Sequence, residues 1–175
     1  MGLFNRSKKL PADRRPSLER DERVLAWAPV AVGDGTVVVT NLGLWLPAAE
    51  RRLGWHEVHK AIWSGRELAI TAAEQVAERD GYLVMGDRPV DTFELPEPGA
   101  VPAQVRLRVT GSVFHTVHHP LPGGGVRIAA RRVPGVDGVT WTVRYDPGTR
   151  TDDPEIVAET DRMVRAAQEA SALAD

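Results

Sequence analysis

The stretch HTVHHPLPGGG, His115–Gly125, gathers three of the chain's five histidines within five residues. Imidazole is a common metal ligand, and a shared ion needs its ligand nitrogens to converge at about 2.1 Å. On a helix, His115 and His119 stand one turn apart on one face, and two ligands converge. On a strand they are about 13 Å apart and His118 points the other way, so no ion is shared. Pro120 disfavours a helical His119, and the β-branched Val113, Thr116 and Val117 favour a strand. With no acidic third ligand nearby, the three histidines are read as polar surface groups and no metal is assigned.

The other candidates for chemistry are weaker. His56 and His59, in WHEVHK, have H-x-x-H spacing without the H-E-x-x-H of metalloproteases, and position alone does not make Glu57 a general base. Gly123–Gly125 does not open a helix after a strand, and no phosphate-loop motif is present. Ser17, Ser64, Ser112 and Ser171 lie in no G-x-S-x-G elbow. The chain has no cysteine, which excludes disulfides, thiolate ligands and thiol nucleophiles. The pattern assigns no catalytic residue and no cofactor.

The elements that position these residues are mainly short strands. Between Glu22 and Leu95, the runs ERVLAWAPV, TVVVT, GLWLP, RRLGW, AIWSG, ELAIT, YLVMG and DTFELP are separated by turn residues, with polar Gln75–Asp80 read as a loop. Leu68 and Ile70 alternate with Glu67 and Ala69, as a half-buried strand requires. Val101, Val105, Val109, Val113 and Val117 recur every four residues, while Val105, Leu107 and Val109 also alternate with polar neighbours, so periodicity alone is ambiguous. Pro102 and Gly111 decide for a helix over 100–110, with a strand from Ser112. VRIAARRVP and VTWTVRYD flank PGVDG as a hairpin, with Val126, Ile128 and Ala130 beside Trp141, Val143 and Tyr145. The last helix is capped by Asp153, with Pro154 in its first turn and Ile156, Met163, Val164 and Ala167 on its apolar face. The five tryptophans, at 27, 45, 55, 63 and 141, fall in strands and read as packing groups rather than a base-stacking platform.

Charge is segregated along the chain although the net is only −2. The balance is +4 over residues 1–20, −6 over 21–101, +5 over 102–150 and −5 over 151–175. The basic residues of the third block are spread singly along strands, which reads as packing beside the acidic blocks; nucleic acid is disfavoured as a partner. Residues 1–20 form a basic, flexible arm, and 21–175 form a single domain with a barrel-like half over 21–111 and strands, hairpin and helix over 112–175. No apolar run reaches the ~20 residues a membrane-spanning helix needs, and the first residues lack the apolar core of a secretion signal. The expected location is cytoplasmic.

Thr40 with Asn41, Leu44–Leu46, Arg51 with Arg52, Leu53, and Trp55 with Glu57 and Val58 together resemble the first half of bacterial pleckstrin-homology-like barrels. Through VRLRVTGSV, GVRIAARR, VTWTVRYDPG and DDPE, residues 22–170 are similar to a group of uncharacterised actinobacterial proteins. The resemblance implies a small barrel of about seven strands with a capping helix near 100–111; the β-hairpin and C-terminal amphipathic helix read from the residues extend the usual barrel, and the whole is expected to be α+β, mainly antiparallel β. Its motifs specify strands and turns, so no functional residue is carried over. The expected function is a non-catalytic binding module for a protein partner, using a strand edge or the helix face bearing Met163 and Val164. The alternative is weak association with anionic lipid at the inner membrane face, through Leu3, Phe4, Arg6, Lys8 and Lys9 in the arm.

Overall fold

The computed structural model describes residues 9–173. In chain order the strands are β1 (Val24–Pro29), β2 (Thr36–Thr40), β3 (Gly43–Trp45), β4 (Leu53–Gly54), β5 (Val58–Trp63), β6 (Glu67–Arg79), β7 (Tyr82–Asp87) and β8 (Asp91–Glu94). Helix α1 (Val101–Gly111) follows, then β9 (Val113–Leu121), β10 (Gly124–Arg131), β11 (Thr140–Tyr145) and helix α2 (Pro154–Ala172). The fold is α+β, its sheets mostly antiparallel, with a curled half-barrel sheet. Where the sequence groups 21–175 as one domain, the residues gather into two compact units. Among the described residues, one holds those up to Ala72 with Pro89–Gly111, the other Ala73–Arg88 with those from Ser112.

In the first unit, β1 to β4 form an antiparallel sheet in sequence order, and β6 pairs with β5 on one side and β8 on the other. Strand β2 is buried along Val37, Val38, Val39 and Thr40, which its run of β-branched residues suits. Leu44, Trp55, Leu68, Ile70 and Leu95 join Val37 and Val39 in one apolar cluster. Helix α1 adds Val101 and Val105, fully buried, and the partly buried Val109. The four-residue recurrence of valine is therefore a helix stripe over Val101, Val105 and Val109, while Val113 and Val117 continue the spacing on β9.

A carboxylate organises one end of this unit. The Glu22 side chain is fully out of solvent. It accepts hydrogen bonds from Thr40 Oγ1 at 2.7 Å, Trp45 Nε1 at 2.9 Å, Arg52 Nη1 at 2.7 Å and the Glu19 amide at 3.1 Å. Nearby, Trp55 Nε1 donates to the Thr40 carbonyl, and Glu57 accepts from the Gly54 amide and from both terminal nitrogens of Arg51.

In the second unit, Ala73–Arg79 of β6 pairs with β7, β7 runs parallel to β11, and β10 lies between β11 and β9. Gln75–Asp80 is therefore not a loop: β6 continues to Arg79, with a bulge between Gln75 and Ala77. Its side chains there are mostly exposed, so no apolar period marks the strand, which is held by backbone pairing with β7 and by the Arg79 side chain. The hairpin forms in the expected register, Val126 opposite Tyr145, Ile128 opposite Val143 and Ala130 opposite Trp141. Asp153 caps α2 by accepting from the Glu155 amide at 2.9 Å.

Under α2 lies a chain of hydroxyls. Tyr82 donates to Asp161 at 2.6 Å, Tyr145 donates to Thr160 at 2.8 Å, and Thr160 donates to the Ile156 carbonyl at 2.7 Å. Arg79 donates to both tyrosine oxygens, at 3.1 Å to Tyr82 and 2.9 Å to Tyr145. Burial, then the hydrogen bond given to Asp161, push the Tyr82 phenol up to about 12.

Two outcomes are expected. Glu22→Ala should cost about 3 kcal/mol in urea unfolding, because it strands buried donors and the Arg52 charge. Although burial opposes ionisation, the bonds from Thr40, Trp45 and Glu19 and the charge of Arg52 hold the Glu22 carboxyl below its ordinary value. Its contribution should be complete at neutral pH and fade as pH falls through the lowered value, a fade that E22A removes. For Tyr82 the sign is opposite: a raised pKa stabilises below the ordinary phenol value and is lost as pH climbs through about 12. Phenolate absorbance should show one of the two tyrosines ionising late, and Tyr82→Phe should remove the late phase.

Candidate functional site

Beside β1, at the outer edge of the four-stranded sheet, the first unit contains an open groove of about 880 Å³. Its apolar lining comes from Leu25, Ala26, Trp27 and Pro29 of β1, with Leu10 from the preceding chain. Its lining carries both signs of charge, Lys9, Arg15 and Arg23 against Glu97, with the buried Glu22 behind β1. Gly99 and Ala100, where the chain turns into α1, also line it. Gly99 has φ +51°, the left-handed region, and an added Cβ would meet nothing within 4 Å. The restriction there is the backbone conformation rather than space.

Sequence pattern explains why the groove forms here. Ala26 and Ala28 are buried in the core at alternate positions of β1, which leaves Trp27 and Pro29 on the alternate positions to line the groove. β1 pairs with β2 from Val24–Thr40 to Pro29–Thr36, and immediately after the strand Ala31 donates to the Glu94 carbonyl. The groove has the size of a small-ligand site. Its lining is aliphatic, indole, ammonium, guanidinium and carboxylate, and Glu22 is already committed to the framework. Such a surface suits an extended segment with apolar side chains and a polar backbone. Sequence reasoning missed it, because neither β1's edge position nor the approach of residues 9–15 has a local signature.

The histidines fall where the strand reading puts them. His115 lies opposite Ala130 and His119 opposite Val126, while His118 lies opposite Arg127 on the other face. His118 Nε2 is 2.6 Å from Asp146 Oδ2, and His115 stands near the Trp141 ring at 6.3 Å between centroids.

The interaction face assigned to α2 is corrected. Val164 is 1% exposed and packs with Tyr82, Val126, Ile128, Val143 and Ile156, with Met163 and Ala167 against the same cluster. An apolar helix stripe and a docking face look alike in sequence; the sheet beneath α2 decides that this one is core. Leu3, Phe4, Arg6 and Lys8 lie outside the described residues. Lys9 is described, exposed, and at the groove. No protein-family model, no curated protein and no solved structure matches the chain.

Val164→Asp should destabilise the protein by about 4 kcal/mol, since it buries an uncompensated carboxylate in an apolar cluster. Chemical denaturation measures the loss; an unchanged midpoint would mean that the α2 face is not core.

Proposed function

We propose that this chain is a non-catalytic binding module, and that the groove along β1 receives an extended segment of a protein partner. The observation that carries the reading is the groove itself: apolar along Leu25, Ala26 and Trp27, with both charges in its lining, and placed beside an edge strand. Peptides bind in this way by adding to a sheet edge, the backbone providing affinity and alternate side-chain pockets providing selectivity. The first unit is best understood as a pleckstrin-homology-like barrel. Its four strands in sequence order, its second group of three and the single following helix accord with that architecture, although fold alone does not choose a ligand. A cytoplasmic setting belongs to the same reading. Among the described residues no helix is long and apolar enough to cross a membrane.

The absence of cysteine makes a direct test available. Ala100 is exposed and lines the groove, so Ala100→Cys places one thiol there for a photoactivated crosslinker. Crosslinking in host extract should join one recurrent protein through one continuous segment. Ala100→Phe should abolish its capture and leave the melting temperature within about 2 °C. Capture unaffected by Ala100→Phe would refute the groove as the docking site. Retention by anionic vesicles alone, lost on removing residues 1–10, would replace the reading with lipid attachment through the arm.

A further inference from the structure

We propose that the second unit carries a separate binding site for a phosphomonoester, formed by His118, Arg127 and Arg144 on the sheet face turned away from α2. Val126, Ile128 and Val143 pack towards α2, so the alternate residues Arg127 and Arg144 project from the opposite face. Arg127 on β10 lies directly opposite His118 on β9 and directly opposite Arg144 on β11. Directly opposed side chains start about 5 Å apart at Cβ, where like charges repel. Two arginines in that relation, with an imidazole beyond them, form a row that a bound anion would relieve.

The row is held at its ends and open at its centre. His118 is fixed by Asp146, and Arg144 Nη2 is 2.7 Å from Asp87 Oδ2. These four side chains are each 36–41% exposed, so a solute reaches them. Arg127 between them is exposed and forms no ion pair with any described residue. Gly125 belongs to the same construction: a Cβ there would lie 2.6 Å from Asp146 Oδ2 and 2.8 Å from His118 Nε2. The bare backbone lets that pair close over the strand.

Arg131 occupies the same face two alternate positions on, opposite Thr140, and is buried. Burial, and after it the nearby Arg144 charge, lower the Arg131 pKa. A doubly charged tetrahedral group answers this arrangement better than a carboxylate. It offers oxygens to two guanidiniums at once, and the free Arg127 fork can engage two of them. The aromatic residues of β11, Trp141 and Tyr145, are on the α2 side. Stacking of bases on this strand is therefore excluded, which favours a phosphoryl group over single-stranded nucleic acid.

The test uses the full chain with O-phosphoserine as a soluble phosphomonoester, chloride at equal ionic strength, and vesicles with or without phosphatidate. Phosphoserine should shift the side-chain N–H resonances of Arg127 and Arg144 saturably, and chloride should not. Arg127→Gln should weaken binding about tenfold at an unchanged melting temperature, the loss expected of one charge-assisted bidentate contact. If only phosphatidate vesicles bind, and Arg127→Gln abolishes it, the phosphate belongs to a lipid headgroup and the site stands. Responses identical in phosphoserine and chloride with no phosphatidate-specific retention, or binding unaltered by Arg127→Gln, would overturn it.

Discussion

The first unit depends on one buried charge. Glu22 has no solvent to ionise into, so its negative charge persists only because Thr40, Trp45, Arg52 and the Glu19 amide all point at it. Those donors come from β2, β3, the segment before β4 and the turn before β1. Losing any of them leaves the carboxylate less compensated, so each segment is held in place by the same group. Asn41 strengthens the join, accepting from the Arg23 amide at 2.6 Å and donating to the Asp21 carbonyl. A charge buried in this way gives geometric definition more than net stability. The definition matters because β1, which this cluster anchors, is the strand that lines the groove.

The second unit solves a different problem. Its sheet needs one face covered, and α2 covers it with Ile156, Val164 and, less completely, Met163. Thr160 sits within that stripe yet is fully buried, and its hydroxyl is satisfied by Tyr145 and the Ile156 carbonyl. The hydroxyl chain ending at Arg79 lets two tyrosines pack under a helix without orphaned oxygens. The face on the other side of the sheet carries arginine, histidine and threonine instead. The α2 face of β10 and β11 thus serves cohesion, while the other face is open to solvent at Arg127 and closed again at Ala129 and Arg131.

Much of the local structure is legible in the residues. The hairpin register follows from alternate apolar positions on either side of Asp137-Gly138, and the start of α2 follows from Asp153 and Pro154. The helix over 101–111 follows from its valine spacing with Pro102 and Gly111, and the strand character of the histidines from Pro120 and three β-branched neighbours. Gln75–Arg79 escapes detection because a strand exposed on both faces has no hydrophobic period, and its pairing is with the backbone of β7. Residues 73–88 also group with 112 onward through pairing that no local pattern encodes. Thr40, Arg52, Trp55 and Glu57 are polar anchors of the first unit, a role that no local pattern assigns to them.

By itself the sequence determined the type of those elements that have a buried face or a cap, and the absence of thiol chemistry, because these depend on residue type and on spacing along a few turns. Tertiary structure decided which faces are spent and which are free. Met163 and Val164 read as an available stripe until a sheet covers them. Arg127 reads as one basic residue among many until registration places His118 and Arg144 on either side. The groove along β1 exists only where residues 9–15, an edge strand and the approach to α1 meet. Each outcome rests on contacts between segments distant in sequence, and the periodicity of one segment carries no information about the partner that will meet it.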